Sequence, residues 1–185
     1  MKEDFETNGE SVNKTFFNIA KTTKTINTYS VYINQGIFMS EDLHRLLDLL
    51  RNASKDDIFK FYINSPGGRM DTTLSILSAM DECKAKIITI ADGKVASAAT
   101  FIFLAGDEYE IYDFSYFMFH QYSGGVRGKG GEMKERVEFT FDHYEKFFRH
   151  YYGSLFSNKD IKKMLNGKDK WIGKEEMNML LKKGK

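Results

Sequence analysis

Between residues 30 and 120 short apolar runs alternate with stretches that carry a helical stripe. Ser30 to Ile33 reads as a short strand. Ser40-Glu41-Asp42 then forms an N-cap with an acidic first turn, and Leu43, Leu46, Leu47 and Leu50 line one face of a helix ending near Arg51. Ile58 to Asn64 is a stronger strand, and the spacing of Leu74, Leu77 and Met80 predicts a helix from about Met70 to Cys83. The β-branched run Ile87 to Ala91 suits a strand buried on both faces, with Asp92-Gly93 read as the turn that ends it. Phe101 to Leu104 is then apolar without a break up to Gly106, which predicts a short buried helix. Tyr109–Tyr112 and Tyr116–Phe119 are two further strands. Strands alternating with helices in this way predict an α/β fold with right-handed crossovers.

Beyond residue 120 the pattern changes. Gly124 to Gly131 is glycine-rich and lacks the Lys-Ser/Thr pair of a phosphate loop, so it is read as an extended or flexible segment offering backbone for pairing. A long helix follows from Glu132 to Tyr152, where Val137, Phe141, Tyr144, Phe148 and Tyr151 form a seam. That seam fits either the subunit's own core or a helix projecting between subunits. Ser157 opens a helix to about Leu165, Asp169 to Gly173 reads as a loop anchored by Trp171, and a last helix carries Met177, Leu180 and Leu181. Residues 1–28 offer only Phe16 to Ala20 for burial and read as an arm, leaving 29–185 as one domain.

Composition narrows the function classes. Lys and Arg number 27 against 26 Asp and Glu, so no basic footprint for nucleic acid exists. Residues 1–10 lack the apolar core of a secretory signal, and no run is long enough to span a bilayer, so the expectation is a soluble cytoplasmic protein. The single Cys83 fits a reducing compartment and is read as a bystander. His143 and His150 sit one heptad apart on the long helix, and no metal or other cofactor is expected in the subunit. Aromatic residues make up 15% of the chain, more than its own core needs, which points to a buried subunit interface.

Three places carry candidate chemistry. Ser97 lies among Ala96, Ala98 and Ala99 after a strand and at a helix start, where backbone N–H groups are unpaired. It is either the N-cap of a core helix or a nucleophile for acyl transfer. Ser65-Pro66-Gly67-Gly68, holding the only proline, is a rigid turn with open N–H groups after the preceding strand. Sites in such sheets form beyond the carboxyl ends of strands, so the two turns fit one crevice. His120, at a strand end, is either a structural histidine or the base; Asp169 is either a loop aspartate or the acid that orients it.

Tyr62-Ile63-Asn64-Ser65-Pro66-Gly67-Gly68, Gly93-Lys94-Val95-Ala96-Ser97-Ala98 and His120-Gln121-x-x-Gly124-Gly125, in that order, resemble the proteolytic subunit of the Clp protease over residues 30–185. The resemblance implies a ClpP/crotonase-like fold with repeated β-β-α units and a projecting handle helix, residues 122–152 supplying a glycine-rich strand and that handle. It implies a serine endopeptidase: Ser97 as nucleophile, His120 as base, Asp169 as orienting acid, Gly68 and Ala98 N–H groups as oxyanion hole, and Gly67, Gly68, Gly124 and Gly125 as backbone that binds the extended substrate. It further implies two stacked heptameric rings, residues 1–28 at the axial pore, and an AAA+ unfoldase that uses ATP to feed polypeptide inward. Departures are Ala98-Ala99 where the family has Met-Gly, Tyr122 where it has proline, and the N-terminal arm. They motivate the reading of a divergent, phage-type member and two alternatives, a catalytically silent ring subunit or a crotonase-type acyl-CoA enzyme.

Overall fold

The computed structural model describes residues 26–183, so most of the predicted arm lies outside the described residues. Its element order is β1 (Thr28–Ile33), α1 (Glu41–Arg51), β2 (Ile58–Ser65), α2 (Met70–Glu82), β3 (Lys86–Ala96), α3 (Ala98–Leu104), β4 (Glu108–Ile111), β5 (Tyr116–Phe119), α4 (Gly130–Tyr152), α5 (Asn158–Leu165), β6 (Lys170–Gly173) and α6 (Lys174–Lys183). One six-stranded sheet runs β1-β2-β3-β5-β6, with β4 also beside β3. All pairings are parallel except β5 with β6.

The expected turn at Asp92-Gly93 is instead a bulge inside β3. Ile63 pairs with Ala91 but Ser65 with Val95, so β3 spends two extra residues there. Gly93 takes φ 126°, its N–H donates to Ser115 Oγ (3.0 Å), and Lys94 N donates to Asn64 Oδ1 (3.1 Å). Side chains thus replace the ladder bonds that the bulge removes. Ile88–Ala91 pair with β4 and Lys94–Ala96 with β5, so the bulge lets one strand serve two different neighbours before α3 begins.

The core lies where α2, α3 and the end of α4 cover the sheet. Phe59, Phe61, Phe101, Phe103, Phe117, Phe119 and Tyr152 are fully buried. The long helix divides its length: Phe148 and Tyr152 are buried, whereas Val137 and Phe139 are 48% and 71% exposed, so the first half stands off the domain. Of the two readings of its aromatic seam, the C-terminal half takes the core and the N-terminal half projects.

Two segments differ from expectation. Residues 170–173 form a strand against β5, with Phe117 opposite Ile172 and Phe119 opposite Lys170. Ile172 is the residue buried there, and Trp171 is exposed and stacks on Tyr116 (6.1 Å between ring centroids). The glycine-rich span 121–129 joins no strand of the sheet. At the other end, Asp57 accepts from the backbone N–H and side-chain amide of Asn27 and from Ser54 N, tying the start of β1 to that of β2. Among the described residues no helix is long and apolar enough to cross a membrane, and no group of three or more His, Cys, Asp or Glu is arranged to hold a metal ion.

Candidate active site

Three neighbouring parallel strands end at the same edge of the sheet, and each end carries one candidate motif. β2 runs into Pro66-Gly67-Gly68, β3 into Ser97 and β5 into His120. Parallel pairing therefore delivers residues up to 54 positions apart to one crevice, as the crossover rule anticipates.

Ser97 holds φ 55° and ψ −128°, a conformation that costs an L-residue about 1–3 kcal/mol. Its backbone is pinned on both sides: the N–H donates to Met118 O (2.8 Å) and the carbonyl accepts from Thr100 N (2.9 Å). The side chain does not cap α3; it lies 2.7 Å from His120 Nε2. A serine at positive φ between strand and helix turns its hydroxyl out of the sheet, and here the hydroxyl meets the one imidazole at that edge.

The glycine turn is pressed against the same place. Gly67 has φ 93°, and a Cβ there would meet Ala96 O and Ser97 Cβ at 2.7 Å and Ala98 N at 2.8 Å, so only glycine fits. Ser65 Oγ braces the turn, accepting from Gly67 N (3.1 Å) and donating to Gln35 O (2.6 Å). Ile37 braces its far side: Ile37 N donates to Gly67 O and Arg69 N to Ile37 O, both at 2.9 Å. That leaves the N–H groups of Gly68 and Ala98 without a protein acceptor among the described residues, beside Ser97.

Asp169 is placed differently. It is exposed and makes no side-chain hydrogen bond among the described residues. The β5–β6 register, continued by one residue beyond Phe119 opposite Lys170, nevertheless sets Asp169 opposite His120. Since β6 is antiparallel, its start lies at the edge where β2, β3 and β5 end.

A cavity of about 640 Å³ opens beside Ser97 and His120, walled by Phe101, Phe148 and Tyr144 and bordered by Gly68, Gly124 and Gly125. Nothing stands within 4 Å of where a Cβ on Gly124 or Gly125 would be. Tyr122, at the position where the family pattern has proline, packs its ring on Tyr144 of α4 (4.8 Å between centroids) in the cavity wall. Ala98 and Ala99 are buried in the core. Arg69 and Asp71 pair at the cavity mouth, and the guanidinium holds the Asp71 carboxyl below its usual range. The Tyr144 hydroxyl is pushed up by burial and by the nearby Asp71 charge. Sequence pattern missed Ile37 and Thr100 as supports of the site, and it read Asn64 and Ser65 as part of the motif without their contacts to Lys94 and Gln35, each 30 residues away.

A Clp protease family profile matches residues 10–177. The chain belongs to the Clp protease family. The match reaches back into the predicted arm, and the six-stranded α/β architecture fits the fold that the motifs implied. ATP-dependent Clp protease proteolytic subunit 2 of Pseudomonas aeruginosa is 33% identical over 125 residues, covering 60% of this chain and 62% of that protein. The subunit 2 of Treponema denticola is 34% identical over 133 residues, covering 70% of this chain and 66% of that protein. Subunit 3 of Rhizobium meliloti is 30% identical over 128 residues, 67% of this chain and 65% of that protein. This Clp-family chain thus spans just under two thirds of the length of these relatives.

Proposed function

We propose that this Clp-family chain is a serine endopeptidase subunit that cuts unfolded polypeptide into short peptides through an acyl-enzyme. The observation that carries the reading is the 2.7 Å contact of Ser97 Oγ with His120 Nε2 on a strained turn. In the first step His120 takes the hydroxyl proton as Ser97 Oγ attacks the scissile carbonyl. The tetrahedral oxygen then lies against the free N–H groups of Gly68 and Ala98, donors fixed before the reaction. His120 passes its proton to the leaving amine, and water, deprotonated by the same imidazole, releases the acyl group. Asp169 orients the imidazole once its carboxylate turns toward the residue opposite it in register. Extended substrate lies along Gly67-Gly68 and Gly124-Gly125, with an apolar side chain in the cavity at Phe101, Tyr144 and Phe148.

The same reading extends to assembly. Stacked heptameric rings use the projecting half of α4 as their contact, and an AAA+ unfoldase hydrolyses ATP to deliver substrate, in a cytoplasmic setting. The relatives' names, which include "ATP-dependent", support this part.

Labelling with a fluorophosphonate tests the chemistry. Ser97 reacts, Ser97→Ala does not, and His120→Ala is strongly slowed; protein that stays unlabelled in every assembly state would sink the proposal. A second reading, a ring subunit without activity, draws on the exposed and unbonded Asp169. Under the peptidase reading Asp169→Asn lowers turnover by about 10⁴-fold, and under the silent reading it changes nothing.

A further inference from the structure

Tyr152 is the largest fully buried side chain among the described residues and carries a titratable hydroxyl that the proposed reaction does not use. Its oxygen lies 2.7 Å from Thr100 Oγ1, and Thr100 Oγ1 lies 2.6 Å from the Ser97 carbonyl oxygen. The proton order in this chain is fixed by chemistry. A carbonyl only accepts, so the single Thr100 hydroxyl hydrogen goes to Ser97 O. Tyr152 must then donate to Thr100 Oγ1. Burial pushes the phenol far above its ordinary pKa, which keeps that proton in place.

From these contacts we infer that Thr100 and Tyr152 are positioning residues for the nucleophile, a buried hydroxyl relay that holds the Ser97 turn where its Oγ meets His120. The relay gives the Ser97 carbonyl a second hydrogen bond beside that from Thr100 N, so neither of its lone pairs is left to pull the strained residue elsewhere. Its far end is packed among aromatic rings. The Tyr152 ring stacks on Phe101 (4.8 Å, 12°) and meets Phe119 (5.2 Å), Phe148 (5.3 Å) and Phe156 (6.2 Å) edge-on or steeply inclined. A threonine serving only the start of α3 would need no partner 52 residues away on the end of α4.

This inference rests on Ser97 being the nucleophile, and the test separates the two. In the full chain, Tyr152→Phe keeps the ring box and removes one hydroxyl. It lowers the fluorophosphonate labelling rate and kcat by roughly three- to tenfold, with KM within about twofold. Thr100→Val does the same or more, Thr100→Ser restores the rate, and the Thr100→Val/Tyr152→Phe double variant is no slower than Thr100→Val alone. Thermal denaturation of each variant accompanies the rates. Variants that label at the wild-type rate overturn the relay, as does a rate loss that only tracks melting temperature and is not restored by Thr100→Ser. Wild-type protein that does not label removes the nucleophile assignment and the relay with it.

Discussion

Ser97 and Gly67 lie against each other at the crevice, and both depend on backbone angles that most residues avoid. Ser97 tolerates φ 55° because Met118, Thr100 and His120 all hold it. Gly67 has no such compensation to offer a side chain. At φ 93° and with Ala96 O, Ser97 Cβ and Ala98 N under 3 Å from a would-be Cβ, Gly67→Ala must push the turn away from Ser97. We expect Gly67→Ala to lower unfolding free energy by more than the ~1–2 kcal/mol of a left-handed L-residue. It also abolishes Ser97 labelling, because the Gly68 N–H moves with the turn. Urea denaturation and probe labelling of the same sample check both. The motif was plain in the sequence at this scale; the strain was not, since φ follows from what the neighbouring strands force on a residue.

Among elements, α4 shows how one amphipathic pattern serves two surroundings. Its seam is continuous from Val137 to Tyr151, yet only its last turns meet α3, where Phe101 contacts Phe147, Phe148, Tyr151 and Tyr152. Phe148→Ala opens a cavity in that cluster and should cost about 3–5 kcal/mol. Phe139→Ser, on the projecting half, should leave the stability of the isolated subunit within about 0.5 kcal/mol while reducing the particle mass in solution if that half joins subunits. Analytical ultracentrifugation alongside denaturation distinguishes the two effects. β6 is the element that pattern missed. Lys170-Trp171-Ile172-Gly173 is too short for a period, and it is a strand only because β5 offers an edge.

Over the whole molecule, stability and site share the sheet. Asp57 fastens the first strand to the second through two hydrogen bonds from Asn27, and these with the bond from Ser54 N–H, chiefly the Ser54 and Asn27 backbone groups, hold its carboxyl below the ordinary value of 3.8. A carboxylate depressed in the folded state contributes its full stabilisation above that ordinary value and loses it as pH falls through the folded one. Asp71, Asp113 and Asp160, held low by Arg69, Lys174 and Ser157, titrate in the same direction. The Asp57 share is isolated by comparison with Asp57→Asn. The variant is the less stable at pH 7, and the gap narrows below about pH 4; a gap that does not change from pH 7 to 2 would refute the assignment.

The sequence by itself determined the order of strands and helices apart from β6, the Ser97, His120 and Gly67-Gly68 motifs and the family, because periodicity and short turns are local properties of the chain. Tertiary structure decided the rest. It turned Asp92-Gly93 into a bulge, divided α4 into docked and projecting halves, left Asp169 exposed just ahead of β6 with no bond to His120, and ran a hydroxyl relay from Tyr152 to Ser97. Each of these depends on which distant residue ends up beside which, and that is fixed by parallel register and core packing rather than by any spacing along the chain.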